Sequence, residues 1–342
     1  MKIFKRTVIW IAVSLIIQFA GLLYINNYFL SSEIKLKTKK IVKSEPKKSE
    51  VEIKVPEDAE DIKVSFDGRY LSYCEDNTLK VVDSKTGDEK NLKFEDGVQV
   101  SFYKWLQDRN RLLIAEKEDS QKGSKFELSY YEVDKDIKEN IKELDWSDTG
   151  AKIDNIQESH LTNVIYIKME SRGMRTTIYR LDINKSVEKT PVNSYMVGEI
   201  GILYLQDKLI YEDSVHNDIY ITDEDEPLTI HGIENKPVWV GIDENDRIYI
   251  GDEKDGKISN IYCGTIDSVK YDYQNINLNQ FVDKKNVFVM PSGKIYINNA
   301  LEGIVEEVGS GKQYTYKGNF IGIYDGGIAS ISNGKLEKKL LN

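Results

Sequence analysis

The chain holds three histidines, His160, His216 and His231. A zinc centre or a histidine-activated nucleophile would have to draw on nearly all of them from widely separated segments. Cys74 and Cys263 lie 189 positions apart, match no metal-ligand spacing and sit in apolar, strand-like runs. They read as two small buried hydrophobes; a bond between them would accord with an oxidising compartment. No G-x-S-x-G elbow is present. The run Gly309-Ser310-Gly311-Lys312-Gln313 fails as a phosphate loop because Gln313 stands where Ser or Thr must hold the metal.

Carboxylates are plentiful, and two chemistries could use them. Asp223-Glu224-Asp225-Glu226 and Asp243-Glu244-Asn245-Asp246 bring oxygen ligands close together, but neither run has the glycine and distal glutamate of a calcium loop, so both read as solvated turns. Glycan hydrolysis or elimination needs a pair of carboxylates facing one another, for which Asp67, Asp108, Asp154 and Asp243 are the candidates. Trp105, Trp146 and Trp239 could form a flat binding platform, although their strand spacing suits a core. On this basis no residue is assigned to catalysis, to a cofactor or to a metal, and the balance favours a non-catalytic chain.

The elements that would position these residues are strands. Of 342 residues, 40% are hydrophobic and only 6 are proline. Beyond residue 50 short apolar runs alternate with polar turns, and no amphipathic helical period appears. One block recurs, an apolar-rich run ending in an acid and a turn: at Asp83, Asp134, Asp182, Asp223 and Asp267, then at Asn299, with intervals of 51, 48, 41, 44 and 32. Such a terminal Asp can accept backbone N–H groups two residues on and close a hairpin. Variable spacing near 40 suits the four-stranded blades of a propeller.

Upstream of the first block, Val64-Ser65-Phe66-Asp67-Gly68-Arg69-Tyr70-Leu71-Ser72-Tyr73 resembles the S-P-D-G-[KR]-x-[IL]-x-[FY] segment of TolB-type, WD-repeat-like propellers, with Phe66 in place of the proline. Looser versions begin at Trp105 and Val240. The resemblance is one of pattern over residues 62–341. It implies an all-β propeller, and counting the repeated segments gives seven four-stranded blades, 62–95, 98–145, 152–193, 197–232, 236–274, 277–309 and 312–341; six or eight blades also fit the spacing. The last stretch has only three strands, so Val51–Val55, a spare strand ahead of the first blade, is expected to complete the last blade and hide its edge.

Ahead of the repeats, Thr7 to Ile25 reads TVIWIAVSLIIQFAGLLYI, nineteen residues without a charge. As a helix it would cross the ~30 Å hydrocarbon layer. No A-x-A-like cleavage site follows, which favours an uncleaved signal anchor over a signal peptide. The expected organisation is a cytoplasmic head at 1–6, a transmembrane anchor at 7–30, a lysine-rich stalk at 31–50 and the propeller at 51–342. Lys2, Lys5 and Arg6 argue for an inside N-terminus, while Lys35, Lys37, Lys39, Lys40, Lys43, Lys47 and Lys48 pull the other way.

Residues 1–50 carry ten basic and three acidic side chains, leaving 37 basic against 54 acidic in the remainder. So acidic a body does not suit nucleic acid, whereas the basic stalk suits anionic lipid headgroups or wall polyanions, or is equally a solvated, self-repelling linker. The reading is therefore a single-pass cell-membrane protein of a bacterial envelope. Its propeller lies outside and binds a cell-envelope protein or a wall polymer through its loops. A propeller enzyme with channel carboxylates is the alternative.

Overall fold

The computed structural model describes residues 2–25, 51–159, 161–266 and 273–341. Two compact units divide the chain, Met1–Ser49 and Glu50–Asn342. The first contains one helix, α1 (Lys2–Ile25), of 24 residues. Trp10, Ile11, Val13, Leu15, Ile16, Ile17, Phe19, Leu22 and Tyr24 are all exposed on it, and at 100° per residue these positions surround the axis. Among the described residues no helix is long and apolar enough to cross a membrane. Residues 26–30 of the expected anchor and the stalk at 31–50 lie outside the described residues.

The second unit is a propeller of seven antiparallel sheets, each built from strands consecutive in the chain. Blade 1 is β1 (Glu60–Val64), β2 (Tyr70–Glu75), β3 (Thr78–Asp83) and β4 (Glu89–Lys93); blade 2 is β5 (Val98–Trp105), β6 (Arg111–Ser120), β7 (Gly123–Glu132) and β8 (Ile137–Trp146). Blade 3 is β9 (Lys152–Ser159), β10 (Val164–Glu170), β11 (Thr176–Leu181) and β12 (Val187–Thr190); blade 4 is β13 (Val197–Ile202), β14 (Leu209–Asp213) and β15 (Asp218–Ile221). Blade 5 is β16 (Lys236–Ile242), β17 (Ile248–Lys254), β18 (Lys257–Gly264) and β19 (Gln274–Asp283); blade 6 is β20 (Val287–Val289), β21 (Ile295–Asn299), β22 (Ile304–Glu307) and β23 (Lys312–Thr315). Blade 7 is β24 (Asn319–Tyr324), β25 (Gly327–Ser332) and β26 (Lys335–Leu340). The first strand of each blade is innermost, and β24 lies beside β1 to complete the ring.

The apolar runs follow from this stacking. A central strand is covered on both faces by neighbouring blades, so it needs hydrophobes at successive positions rather than alternate ones. In β6, Leu112 and Ile114 pack into the cluster shared with Tyr70, Leu79 and Val81 of blade 1. Their neighbours Leu113 and Ala115 pack instead with Ile153, Ile165 and Ile167 of blade 3. The same division recurs around the ring, one apolar cluster to each interface between blades.

Turn chemistry sets the registers. Asp255-Gly256 and Asn333-Gly334 close two-residue hairpins with both residues in the left-handed region, at φ 52 and 78 and at φ 51 and 72. The resemblance segment forms the β1–β2 turn. Gly68 sits at φ 69, and Asp67 Oδ1 accepts from Ser65 Oγ at 2.8 Å and from the Arg69 N–H at 2.9 Å.

Two blade boundaries differ from the sequence reading. Gln274–Asp283 is the outer strand of blade 5 and not the start of the next blade, since it pairs with β18. Lys312–Thr315 closes blade 6 by pairing with β22. β19 alternates Ile276 and Leu278 with asparagines and buries Leu278 and Val282 in the cluster between blades 5 and 6, so its pattern serves the first strand of a new blade as well as the last of the old one.

Outer positions of two blades are filled in other ways. In blade 4 the segment after β15 makes one ladder-like bond, Leu228 N–H to Ile219 O at 2.7 Å, and Pro227 beside it has no N–H to add another. In blade 7, Lys54 bridges Lys335 in antiparallel fashion. The Leu336 N–H donates to Ile53 O at 2.9 Å, and the Val55 N–H to Gly334 O at 2.8 Å. Ile53 and Val55 are buried with Leu71, Tyr73 and Val82 of blade 1.

Candidate functional site in the central channel

Innermost strands approach one another closely enough that glycine is required at two points. A Cβ on Gly201 would stand 2.2 Å from Trp239 Cζ2, and one on Gly241 would stand 2.8 Å from Val289 Cβ. Beside these contacts a cavity of about 220 Å³ opens between blades 2 to 6, lined by Lys104, Gln107, Gln157, Glu158, Tyr204 and Trp239 among others. A wider recess of about 590 Å³, lined from blades 1, 2, 5, 6 and 7, shares Leu106, Gln107, Val240 and Val289 with it. Together they form a channel with a deep chamber and an open mouth.

Lys104, on β5, is the cation of the chamber. Its Nζ donates to Ile156 O at 3.2 Å and to Gln157 Oε1 at 3.1 Å, both at β9. Gln157 is in turn held by Asn155, to whose Oδ1 it donates at 3.0 Å. Burial pushes the ammonium down to about 8, with Glu158 pulling the other way and Lys63 adding to the fall. Glu158 itself takes a hydrogen bond from Tyr130.

Tyr204 closes the opposite wall by donating to Gln107 Oε1. Burial raises its phenol to about 12. The backbone before and after it is anchored across the blade 4–5 interface, where the Tyr204 and Leu205 N–H groups donate to Asp246 Oδ1 at 2.6 and 3.1 Å. Burial, and then the neighbouring Asp243, holds the Asp246 carboxyl above its ordinary value against those two bonds.

The mouth has a different character. Phe66, Trp105, Phe288, Met290, Pro291, Ile323 and Tyr324 line it, with Glu244 and Asp325 as its acidic groups. Backbone bonds tie its rim across blades: Asp325 N–H to Phe66 O at 2.7 Å and Glu244 N–H to Pro291 O at 2.9 Å.

The candidate carboxylates of the sequence reading are not gathered here. Asp67 orders its own turn and accepts from Asn110 Nδ2 at 3.1 Å. Asp108 pairs with Arg109 at 2.6 Å. Asp154 pairs with the buried Lys168 at 2.7 Å, which also donates to Gly198 O at 2.6 Å. Asp243, fully buried, accepts from Arg247 Nε at 2.7 Å, Tyr249 OH at 3.0 Å and the Asn245 N–H at 2.9 Å. None of the four lines the chamber or the mouth, whose carboxylates are Glu158, Glu244 and Asp325.

Other candidates fall into structural roles. Cys74 and Cys263 are free thiols, both raised by burial, Cys74 to about 11. His216 Nδ1 lies 2.6 Å from Asp213 Oδ2 on the surface; His231 is exposed, and His160 lies outside the described residues. Among the described residues no group of three or more His, Cys, Asp or Glu side chains could hold a metal. Gly309 and Gly311 sit at φ 90 and 67 in the β22–β23 hairpin turn. Trp146 packs edge-on against Tyr179 at 5.4 Å, and Trp105 stacks on Tyr70 at 6.0 Å.

Comparison with known proteins leaves the family open. No family model matches the chain, and no curated protein matches it. Among solved structures it is similar to a luciferin-regenerating enzyme, 14% identical with a TM-score of 0.43, over 72% of this chain and 84% of that one. So distant a likeness carries no functional argument, and the TolB-type resemblance stays one of pattern.

Proposed function

We propose that this chain is a non-catalytic binding or scaffold module, displayed from the outer face of a bacterial membrane, that takes a protein segment at the channel mouth. The mouth carries the reading. It offers a recess of about 590 Å³ with aromatic and aliphatic walls and two exposed acids, Glu244 and Asp325, in its lining. That combination suits an apolar side chain flanked by lysine or arginine better than a polyanionic wall polymer. The acidic body, 37 basic against 54 acidic residues beyond residue 50, adds long-range attraction for a basic partner.

The display rests on the sequence of α1. Twenty-four helical residues reach about 36 Å at ~1.5 Å each, and nineteen in succession carry no charge. An apolar helix with hydrophobes on every face needs an apolar surround. The lysine-rich composition of 31–50 suits anionic headgroups.

The test is capture from membranes with the full chain and with Glu244→Lys/Asp325→Lys. These exposed reversals spare the core. A protein recovered by the parent and lost by the double variant supports the reading. Equal recovery removes the mouth as the site, and recovery of nothing removes the binding role. Extraction of the full chain by an alkaline wash would remove the membrane anchor.

A further inference from the structure

We propose that the 220 Å³ chamber is a binding site for a small organic acid, held as its carboxylate by Lys104 and Gln107. The inference goes beyond the partner at the mouth and does not depend on it.

The donor arithmetic is specific. An ammonium has three N–H bonds, and Lys104 places two, on Ile156 O and Gln157 Oε1. The third is left for a guest in the chamber the side chain lines. Gln107 adds an amide to the same lining, where its Oε1 accepts from the Tyr204 hydroxyl and its NH₂ can donate to a guest. A carboxylate, planar with two acceptor oxygens, matches two donors of this kind. The Trp239 ring and the backbone of Ile200–Ile202 and Val240–Ile242 supply the remaining wall, suited to a short carbon chain.

Two other charged groups act on Lys104. Lys63, from blade 1, is spent on Asp61 and on Tyr103 O, each at 2.7 Å. Glu158, from blade 3, also lines the chamber and takes a hydrogen bond from Tyr130, so a guest carboxylate must sit on the Lys104 and Gln107 side, away from it. Burial disfavours the Lys104 cation, and an anion beside it would favour the charged form. Binding should therefore strengthen as Lys104 protonates below about pH 8 and fade above it.

The experiment is calorimetric titration of the full chain in detergent with acetate, pyruvate and inorganic phosphate, at about pH 6.5 and about pH 9.5. The expected result is saturable binding of acetate and pyruvate at one shared site, tighter at the lower pH. Lys104→Met should weaken it by about tenfold or more. Gln107→Leu, at an exposed position, should weaken it by less and decides the matter if Lys104→Met does not fold. Affinity unchanged in both variants overturns the proposal, as does phosphate binding in place of the carboxylates or no saturable binding of any probe. Glu244→Lys/Asp325→Lys should leave pyruvate binding intact, which separates failure here from failure at the mouth.

Discussion

The Trp239 ring occupies the space that a side chain at position 201 would need, with Cζ2 only 2.2 Å from where a Cβ would stand. Gly201 is in the strand β13 and its glycine is demanded by space alone. The contact joins the innermost strands of blades 4 and 5 and sets the position of one wall of the chamber.

Gly201→Ala should therefore act through Trp239. Overpacking of this kind costs roughly 1–3 kcal/mol, and the ring must move to admit the methyl group. A lower melting temperature together with a shifted indole emission is the expected result. An unchanged melt and spectrum would mean that the inner strands separate without cost.

The segment 51–56 should stabilise the ring out of proportion to its length. Ile53 and Val55 are 5% and 6% exposed, and losing two such side chains from an interface costs roughly 3–6 kcal/mol. Deleting 51–56 also bares the outer edge of β26. The expected outcome is a melting temperature lower by on the order of 10 °C and a greater tendency to associate. A melt equal to that of the full chain would show that blades 7 and 1 hold together without the segment.

Two buried aspartates should respond oppositely to losing their charge. Asp213 accepts from Ser194 Oγ at 2.5 Å and the Val215 N–H at 2.9 Å, and these bonds, with His216, outweigh burial and hold its carboxyl below the ordinary value. Its contribution is present above the unfolded value near 3.8 and is lost as pH falls through the folded one. Asp246 is raised, so its effect favours folding below that range and is lost as pH rises through its folded value. At neutral pH Asp213→Asn should lower the melting temperature clearly. Asp246→Asn keeps an acceptor for Tyr204 and Leu205 and should be neutral or stabilising. Equal losses in both would contradict this assignment of charge.

Local pattern reveals much of this fold and little of its channel. The blade count, the Asp67-Gly68 turn and the doubly buried run at Arg111–Ala115 are visible because hairpins and central strands impose residue types over a few positions. The blade to which β19 belongs is not, because its buried Leu278 and Val282 give the apolar signal that an innermost strand would also give. Lys104 looks like a solvent-facing strand residue between Tyr103 and Trp105, and Glu158 like part of a polar strand end. Only closure of the ring brings them to one chamber, through contacts some fifty residues apart that no short window contains.

The ammonium of Lys104 should be the outlier among the lysines of the propeller. Burial places it near 8, whereas Lys80, Lys125 and Lys294 are raised by hydrogen bonds to carboxylates. An unfolded lysine titrates at about 10.4, so between the two values the unfolded chain binds more protons and stability gained from this group increases with pH. Reductive methylation with carbon-13 and titration of the dimethylamine signals should show one resonance moving near pH 8, absent from Lys104→Met. If the signal assigned to Lys104 moves with the surface lysines instead, the chamber is wet and the amine is hydrated. Were acetate present at saturating concentration, the same resonance should titrate higher, because a bound carboxylate stabilises the cation it touches.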